Sequence, residues 1–206
     1  MASEDIKVRA AVGYYEGNAA DLLHRYERVT FSQVHPDLVD LVRAHPSRAL
    51  DIGCGSGRDA AWLAENGWNV VAVDPSSAML EGARRLHPGE RIRWLHDGLP
   101  LLSSVRDLSV RFDLILASAV WMHVPPSEQR LAVATVAGLL APGGALGITL
   151  RRGPSEGQRG FFETDPESLK ELFALVGLDL IGDDADVDRF GRAEISWRKL
   201  LFRKPH

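Results

Sequence analysis

Short apolar runs bounded by turn residues alternate along this chain with longer segments of helical period. The runs fall at residues 48–52, 69–73, 91–95, 112–117 and 145–150, followed by a weaker one at 178–181 and a long alternating one at 195–202. Helical segments lie between them at 59–66, 77–86 and 128–140. Gly67 sits where a left-handed cap closes the first of these, and Pro125 and Pro126 open the third. Thr164-Asp165-Pro166-Glu167 is a capping-box pattern that opens a further helix running to Val176. Two more helical segments, 15–29 and 31–44, precede the first strand.

Alternation of this kind predicts an α/β fold: a doubly wound, mostly parallel sheet with helices on both faces. Residues 182–194 are polar and read as a loop, so the last two strands are expected to form an antiparallel hairpin at a sheet edge. The 206 residues suffice for one domain with a sizeable core. The expected division is an N-terminal helical lid over residues 1–46 and a sheet core over 47–206.

Composition narrows the class without naming it. Hydrophobic residues make up 45% and charged residues 25%, so the chain is globular rather than disordered. A net charge of -4 tells against a dedicated duplex-DNA binder, whose affinity comes from neutralising phosphates. The single cysteine, Cys54, forms no internal disulfide and suits a reducing compartment. No apolar stretch is long enough for a bilayer, and the first residues lack the apolar run of a signal peptide. A cytoplasmic protein is the expectation. No cysteine and histidine spacing resembles a metal site.

The strongest local signal is Asp51-Ile52-Gly53-Cys54-Gly55-Ser56-Gly57, directly after a strand and before a helix. Glycines there let the backbone turn sharply and a ligand approach the main chain, at the strand ends where open α/β sheets bind ligands. Asp74 ends the second strand, 21 residues beyond Gly53, the spacing at which a carboxylate meets ribose hydroxyls. A nicotinamide dinucleotide is the competing ligand, since Gly55-Ser56-Gly57-Arg58-Asp59-Ala60 fits the permissive form of that fingerprint. Asp51 beside the glycines tells against it, because a carboxylate repels a pyrophosphate and attracts a cationic cofactor. The bulky Arg58 after Gly57 and the lack of a second dinucleotide half point the same way.

With Ala49–Gly57, Val71-Ala72-Val73-Asp74-Pro75-Ser76, His96-Asp97-Gly98-Leu99-Pro100, Phe112–Val124 and Leu139–Gly144, the chain resembles the class I methyltransferases. That is the seven-stranded Rossmann-like family using S-adenosyl-L-methionine and releasing S-adenosyl-L-homocysteine. The resemblance runs from about residue 12 to residue 203 and implies a seventh strand lying antiparallel between the fifth and sixth. It implies that Asp51 and the loop of Gly53, Cys54, Gly55 and Gly57 hold the methionine moiety, and that Asp74 and Pro75 meet the ribose. Ser76 and Met79 would lie near the adenine, and Asp97, Gly98 and Leu99 would border its amino group. Ser118 and Ala119 would border the methionine end. Tyr15 and Tyr26, with Tyr14 nearby, would come from a segment folding over the cofactor, where Arg58 also reaches its carboxylate.

On the acceptor side, His123 is the candidate base, since histidine titrates near neutral pH. Arg152 and Arg159, after the fifth strand, suit an anionic group on a small-molecule acceptor. Arg189, Arg192 and Trp197 are candidates to join them. The reading is a methyltransferase acting in line on a small molecule. RNA or protein remains the alternative acceptor, and a nicotinamide enzyme or a cofactor binder without transfer stands further behind. Nothing in the sequence calls for a membrane, and oligomeric state is open.

Overall fold

The computed structural model describes residues 2–154 and 159–206. Four helices come first: α1 (Ala2–Gly17), α2 (Ala19–Tyr26), α3 (Phe31–Val34) and α4 (Val39–Ala44). The core follows as β1 (Arg48–Ile52), α5 (Arg58–Glu65), β2 (Asn69–Asp74), α6 (Ser77–Leu86), β3 (Ile92–His96), α7 (Ser103–Arg106) and β4 (Phe112–Ser118). It closes with α8 (Gln129–Leu139), β5 (Leu140–Arg152), α9 (Pro166–Leu175), β6 (Asp179–Val187) and β7 (Ser196–Arg203). The seven strands lie in the order β3-β2-β1-β4-β5-β7-β6. β1 to β5 are parallel, and β7 runs antiparallel between β5 and β6.

Strand periodicity sorts the core into two layers. Leu50 and Ile52 of β1 point to one face, with Val71, Val73, Ile115, Leu146 and Ile148. There they meet Val133 and Val136 of α8 and Leu169 and Phe173 of α9. Ala49, Val70, Ala72, Leu114 and Leu116 point to the other face, against Ala60, Ala61 and Leu63 of α5. Phe31, Leu38 and Val42 from the N-terminal region join this second layer, and Phe31 stacks flat on Trp62 with centroids 4.0 Å apart.

Three elements differ from the sequence expectation. The first helix begins at Ala2 instead of near Tyr15. Its apolar face, Val8, Ala11, Val12 and Tyr15, faces a cavity and not the main core, and Ile6 is 69% exposed, so no full stripe announces it. α9 is capped by Asp165, not Thr164; the Asp165 carboxylate accepts from the Glu167 and Ser168 main-chain N–H groups. β6 runs on to Val187 through residues expected to form a loop. Its aspartates have partners that lie far away in sequence. Asp183 bonds Arg198 and lies 2.9 Å from Lys170, and Asp186 lies 2.7 Å from Lys199. Charged residues on an edge strand also discourage pairing with other chains. No helix among the described residues is long and apolar enough to cross a membrane.

Phe173 ties the α9 side of the core together, 5.5 Å from Trp121 and 4.8 Å from Phe202 between ring centroids. Phe173→Ala should destabilise the fold by about 3–5 kcal/mol through lost burial and the cavity left behind. Urea unfolding should show a lower midpoint at an unchanged slope; a midpoint that stays put would refute this packing role.

Candidate functional site

The winding of the sheet reverses between β1 and β4, so their carboxyl ends part and leave a crevice. A cavity of about 260 Å³ occupies it, floored by the loop after β1 and bordered by Asp74, Ser118 and Ala119 at the strand ends. The loop needs its glycines. Gly53 has φ +64°, and a Cβ there would come within 2.5 Å of Val120 Cγ2. Gly57 has φ +83° at the N-cap of α5, and a Cβ would lie 2.6 Å from the Trp94 ring. Gly55 lies between them, and its N–H donates to Asp74 Oδ2 at 3.0 Å.

Three buried carboxylates crowd this end of the sheet: Asp51, Asp59 and Asp74, at 2%, 4% and 8% exposure. Asp59 is answered. Arg58 Nε and His35 Nε2 lie 2.7 and 3.1 Å from its oxygens. Burial acts to raise its carboxyl, but Arg58 and then the His35 ring beside it override this and hold it below the usual range. Asp51 is not answered in this way. Its Oδ2 is buried with no hydrogen-bond partner among the described residues. Burial, then the charge of Asp59, pushes its carboxyl well above the usual range. Asp74 accepts from the Gly55 and Ser76 N–H groups, yet burial still raises it to about 6.

The helices α1 and α2 cover the cavity. Glu16 at the end of α1 accepts from the Ser77 and Ala78 N–H groups at the start of α6. At the other end of α1, Ser127 donates to Glu4 at 2.8 Å. Between these, the Tyr15 hydroxyl lies 3.1 Å from His123 Nε2, and burial raises the phenol far above its usual range. Burial, then Arg159, lowers His123 to about 4. Ala119 holds φ +58°, and Thr149 on β5 fixes it by accepting its N–H at 2.9 Å.

Most of the expected site residues line this one cavity: Tyr15, Tyr26, Asp51, Gly53, Cys54, Gly55, Arg58, Asp74, Pro75, Gly98, Leu99, Ser118, Ala119, His123 and Arg159. Arg189, Arg192 and Trp197 line it as well. Five of the expected residues do not line it. Gly57 shapes the turn from behind without reaching the cavity. Ser76 caps α6, its Oγ accepting from Met79 N–H at 3.2 Å. Met79 is fully buried with Tyr14, Leu22 and Tyr26. Asp97 accepts from the N–H groups of Gly98 and Val105 and does not line the cavity. Arg152 is exposed, whereas Arg151, one residue earlier on the strand, turns inward and stacks on Phe161 at 5.1 Å. Residues 155–158 of the expected acceptor loop lie outside the described residues.

Sequence reasoning passed over Asp59, Thr149 and Arg25. Thr149 left a signal, a lone hydroxyl in the apolar run 145–150. Arg25 left none.

A doubly wound sheet whose β1 glycine loop and β2 carboxylate open on one cavity is a nucleoside-binding Rossmann-like domain. Residues 49–144 match the model of the methyltransferase domain family. Rat glycine N-methyltransferase is 31% identical over 156 residues, covering 67% of this chain and 53% of that one. The chain spans about half the length of the curated relatives it matches. Magnesium protoporphyrin IX methyltransferase of Synechocystis PCC 6803, solved with bound S-adenosylmethionine, superposes with TM-score 0.69 at 19% identity over 96% of this chain and 97% of that one. The 1,6-didemethyltoxoflavin-N1-methyltransferase of Burkholderia thailandensis, solved with its namesake compound and S-adenosylhomocysteine, superposes with TM-score 0.62 at 26% identity over 85% and 76% of the two chains. Over residues 49–144 the chain is thus similar to the methyltransferase domain family, and it shares its fold with methyltransferases solved with S-adenosylmethionine or S-adenosylhomocysteine.

Gly53→Ala should place a methyl group against Val120 in a backbone region that disfavours side chains. The variant should lose most of its S-adenosylhomocysteine affinity by calorimetry. Adding Val120→Ala should restore part of it, since the clash is relieved and the strained φ is not. Full restoration would mean that φ carries no cost.

Proposed function

We propose that this protein transfers the methyl group of S-adenosylmethionine to a small molecule bound at the mouth of the same cavity. The observation that carries this is the unanswered, buried oxygen of Asp51. A carboxylate left so costs several kcal/mol unless a cation meets it, and the ammonium of the cofactor's methionine moiety is such a cation. The residues present fit the group: Asp51 and the glycine loop for the methionine end, Asp74 for the ribose hydroxyls, and Gly98 and Leu99 for the base. When bound, the cofactor supplies an electrophilic methyl on a positively charged sulfur.

The chain contributes binding, alignment and exclusion of water. The first 46 residues cover a core that begins at residue 47. Within that cover α1 and α2 close over the cavity, and α3 and α4 anchor them to α5. His123 works as a positioning residue: held neutral at pH 7, it is a weak base, and it fixes Tyr15 across the cavity. Arg159, buried at 5% exposure beneath the cover, supplies positive charge for an anionic acceptor. The small-molecule reading is supported by the short connections between the core elements among the described residues and by relatives named for small acceptors. Cys54, a buried free thiol, suits the reducing cytoplasm.

Two measurements test this reading. S-adenosylhomocysteine should bind tightly, with affinity flat above pH 6 and falling about tenfold per unit below it as Asp74 takes up a proton. Linkage has the opposite sign for the protein without ligand. A raised carboxyl favours the fold below about pH 4, and that contribution is lost as pH rises through 6. Asp74→Asn should bind weakly and lose the share of the pH dependence that Asp74 supplies, keeping that of Asp51, and an unchanged wild-type slope in that variant would sink the assignment. The second measurement is the pH profile of kcat, in which His123 should leave no inflection near 6.5. An inflection there that vanishes in His123→Asn would make the histidine a base after all.

A further inference from the structure

The cavity opens sideways into a second depression of about 370 Å³, lined by Arg25, Arg28, Val29, Arg189, Phe190 and Arg192. Five of these six also line the main cavity, so the depression is its mouth and not a separate hole. Four arginines and no acidic residue line it, although Asp186 and Asp188 line the adjoining cavity.

Two of the four are set in place from behind. Asp186 holds Arg189 at 2.8 Å, and Asp188 holds Arg192 at 2.7 Å while accepting from the Trp197 indole. The other two come from the end of α2 and the turn after it, and none of the described carboxylates forms an ion pair with Arg25 or Arg28. Arg25 Nε is buried with no hydrogen-bond partner among the described residues. The guanidinium carbons of Arg25 and Arg192 lie 5.5 and 5.6 Å from the centroid of the one Phe190 ring. Like charges gathered on one ring repel, and of the two Arg192 has Asp188 beside it while no described carboxylate pairs with Arg25. A bound oxyanion removes the repulsion and satisfies donors that now face the opening.

We propose that this mouth is the acceptor subsite and that the acceptor carries an oxyanion, a carboxylate or phosphate. Arg25 and Arg28 bind the oxyanion, and the loop arginines close around it. This rests on the methyltransferase reading of the main cavity. It moves the contact with the anion from exposed Arg152 to residues that line the opening, with Arg159 adding positive charge deeper in the cavity.

The test is calorimetry with inorganic phosphate at constant ionic strength, on protein saturated with S-adenosylhomocysteine. Phosphate should bind saturably. Arg28→Gln, at an exposed position off the main cavity, should weaken it about tenfold, the cost of one charge-assisted bond, and leave S-adenosylhomocysteine affinity alone. Arg25→Gln combined with Arg28→Gln should abolish it, with the melting curve showing that the protein is folded. Absence of saturable phosphate binding while the nucleoside binds would overturn the anion subsite and leave the methyltransferase reading intact. Competition between the two ligands would overturn it by assigning the arginines to the cofactor. Arginine-dependent binding of a short RNA more than about a hundredfold tighter than phosphate would overturn the small acceptor. Failure of S-adenosylhomocysteine to bind would overturn the cofactor reading and, with it, the naming of this anion site as an acceptor site.

Discussion

The site depends on the reversal of winding between β1 and β4. Helices after β1 and β2 cover one face of the sheet and those after β4 and β5 the other, so the loops leaving β1 and β4 diverge and no side chain of the sheet can fill the space between them. That crevice exists before any binding residue is chosen. The glycine turn packs against Val120 so closely that a side chain at Gly53 would not fit, and on the other side Thr149 holds Ala119 in a strained backbone region.

Placing carboxylates in such a crevice works against the fold. Asp51 and Asp74 are buried beside each other and beside Asp59, and burial resists the charge on all three. Of the three, Asp59 alone is held below the usual carboxyl range by its partners, Arg58 first. The remaining cost is a store of unmet electrostatic demand directed at a ligand with positive charge and hydroxyl donors. A fold selected for stability alone would have apolar residues here.

What the sequence made legible was local. The glycine loop, the acid after β2 and the strand–helix alternation are written within short windows, and they place the cavity correctly. A cap and a ligand-binding residue use the same residue types, so side chains that serve a neighbouring main chain are not told apart from ligand contacts in the sequence alone. Ser76 and Asp97 are both of this kind. Arg151 and Arg152 could not be told apart without the register of β5, since adjacent strand residues face opposite sides. β6 looked like a loop because the partners of Asp183 and Asp186 stand on α9 and β7. Arg25 gained its place only when α2 packed next to the β6–β7 loop.

The clamp on α1 has a further consequence. Its two ends are fastened to different elements, Glu16 to the start of α6 and Glu4 to Ser127 ahead of α8, so it bridges the crevice like a bar across a doorway. The arginine-lined mouth opens beside that bar, toward the β6–β7 loop. Ligands therefore have two routes with different barriers: the one under α1 needs fastenings to break, while the one at the mouth does not. On the proposed reading, an acceptor could exchange through the mouth while α1 stays fastened over the nucleoside.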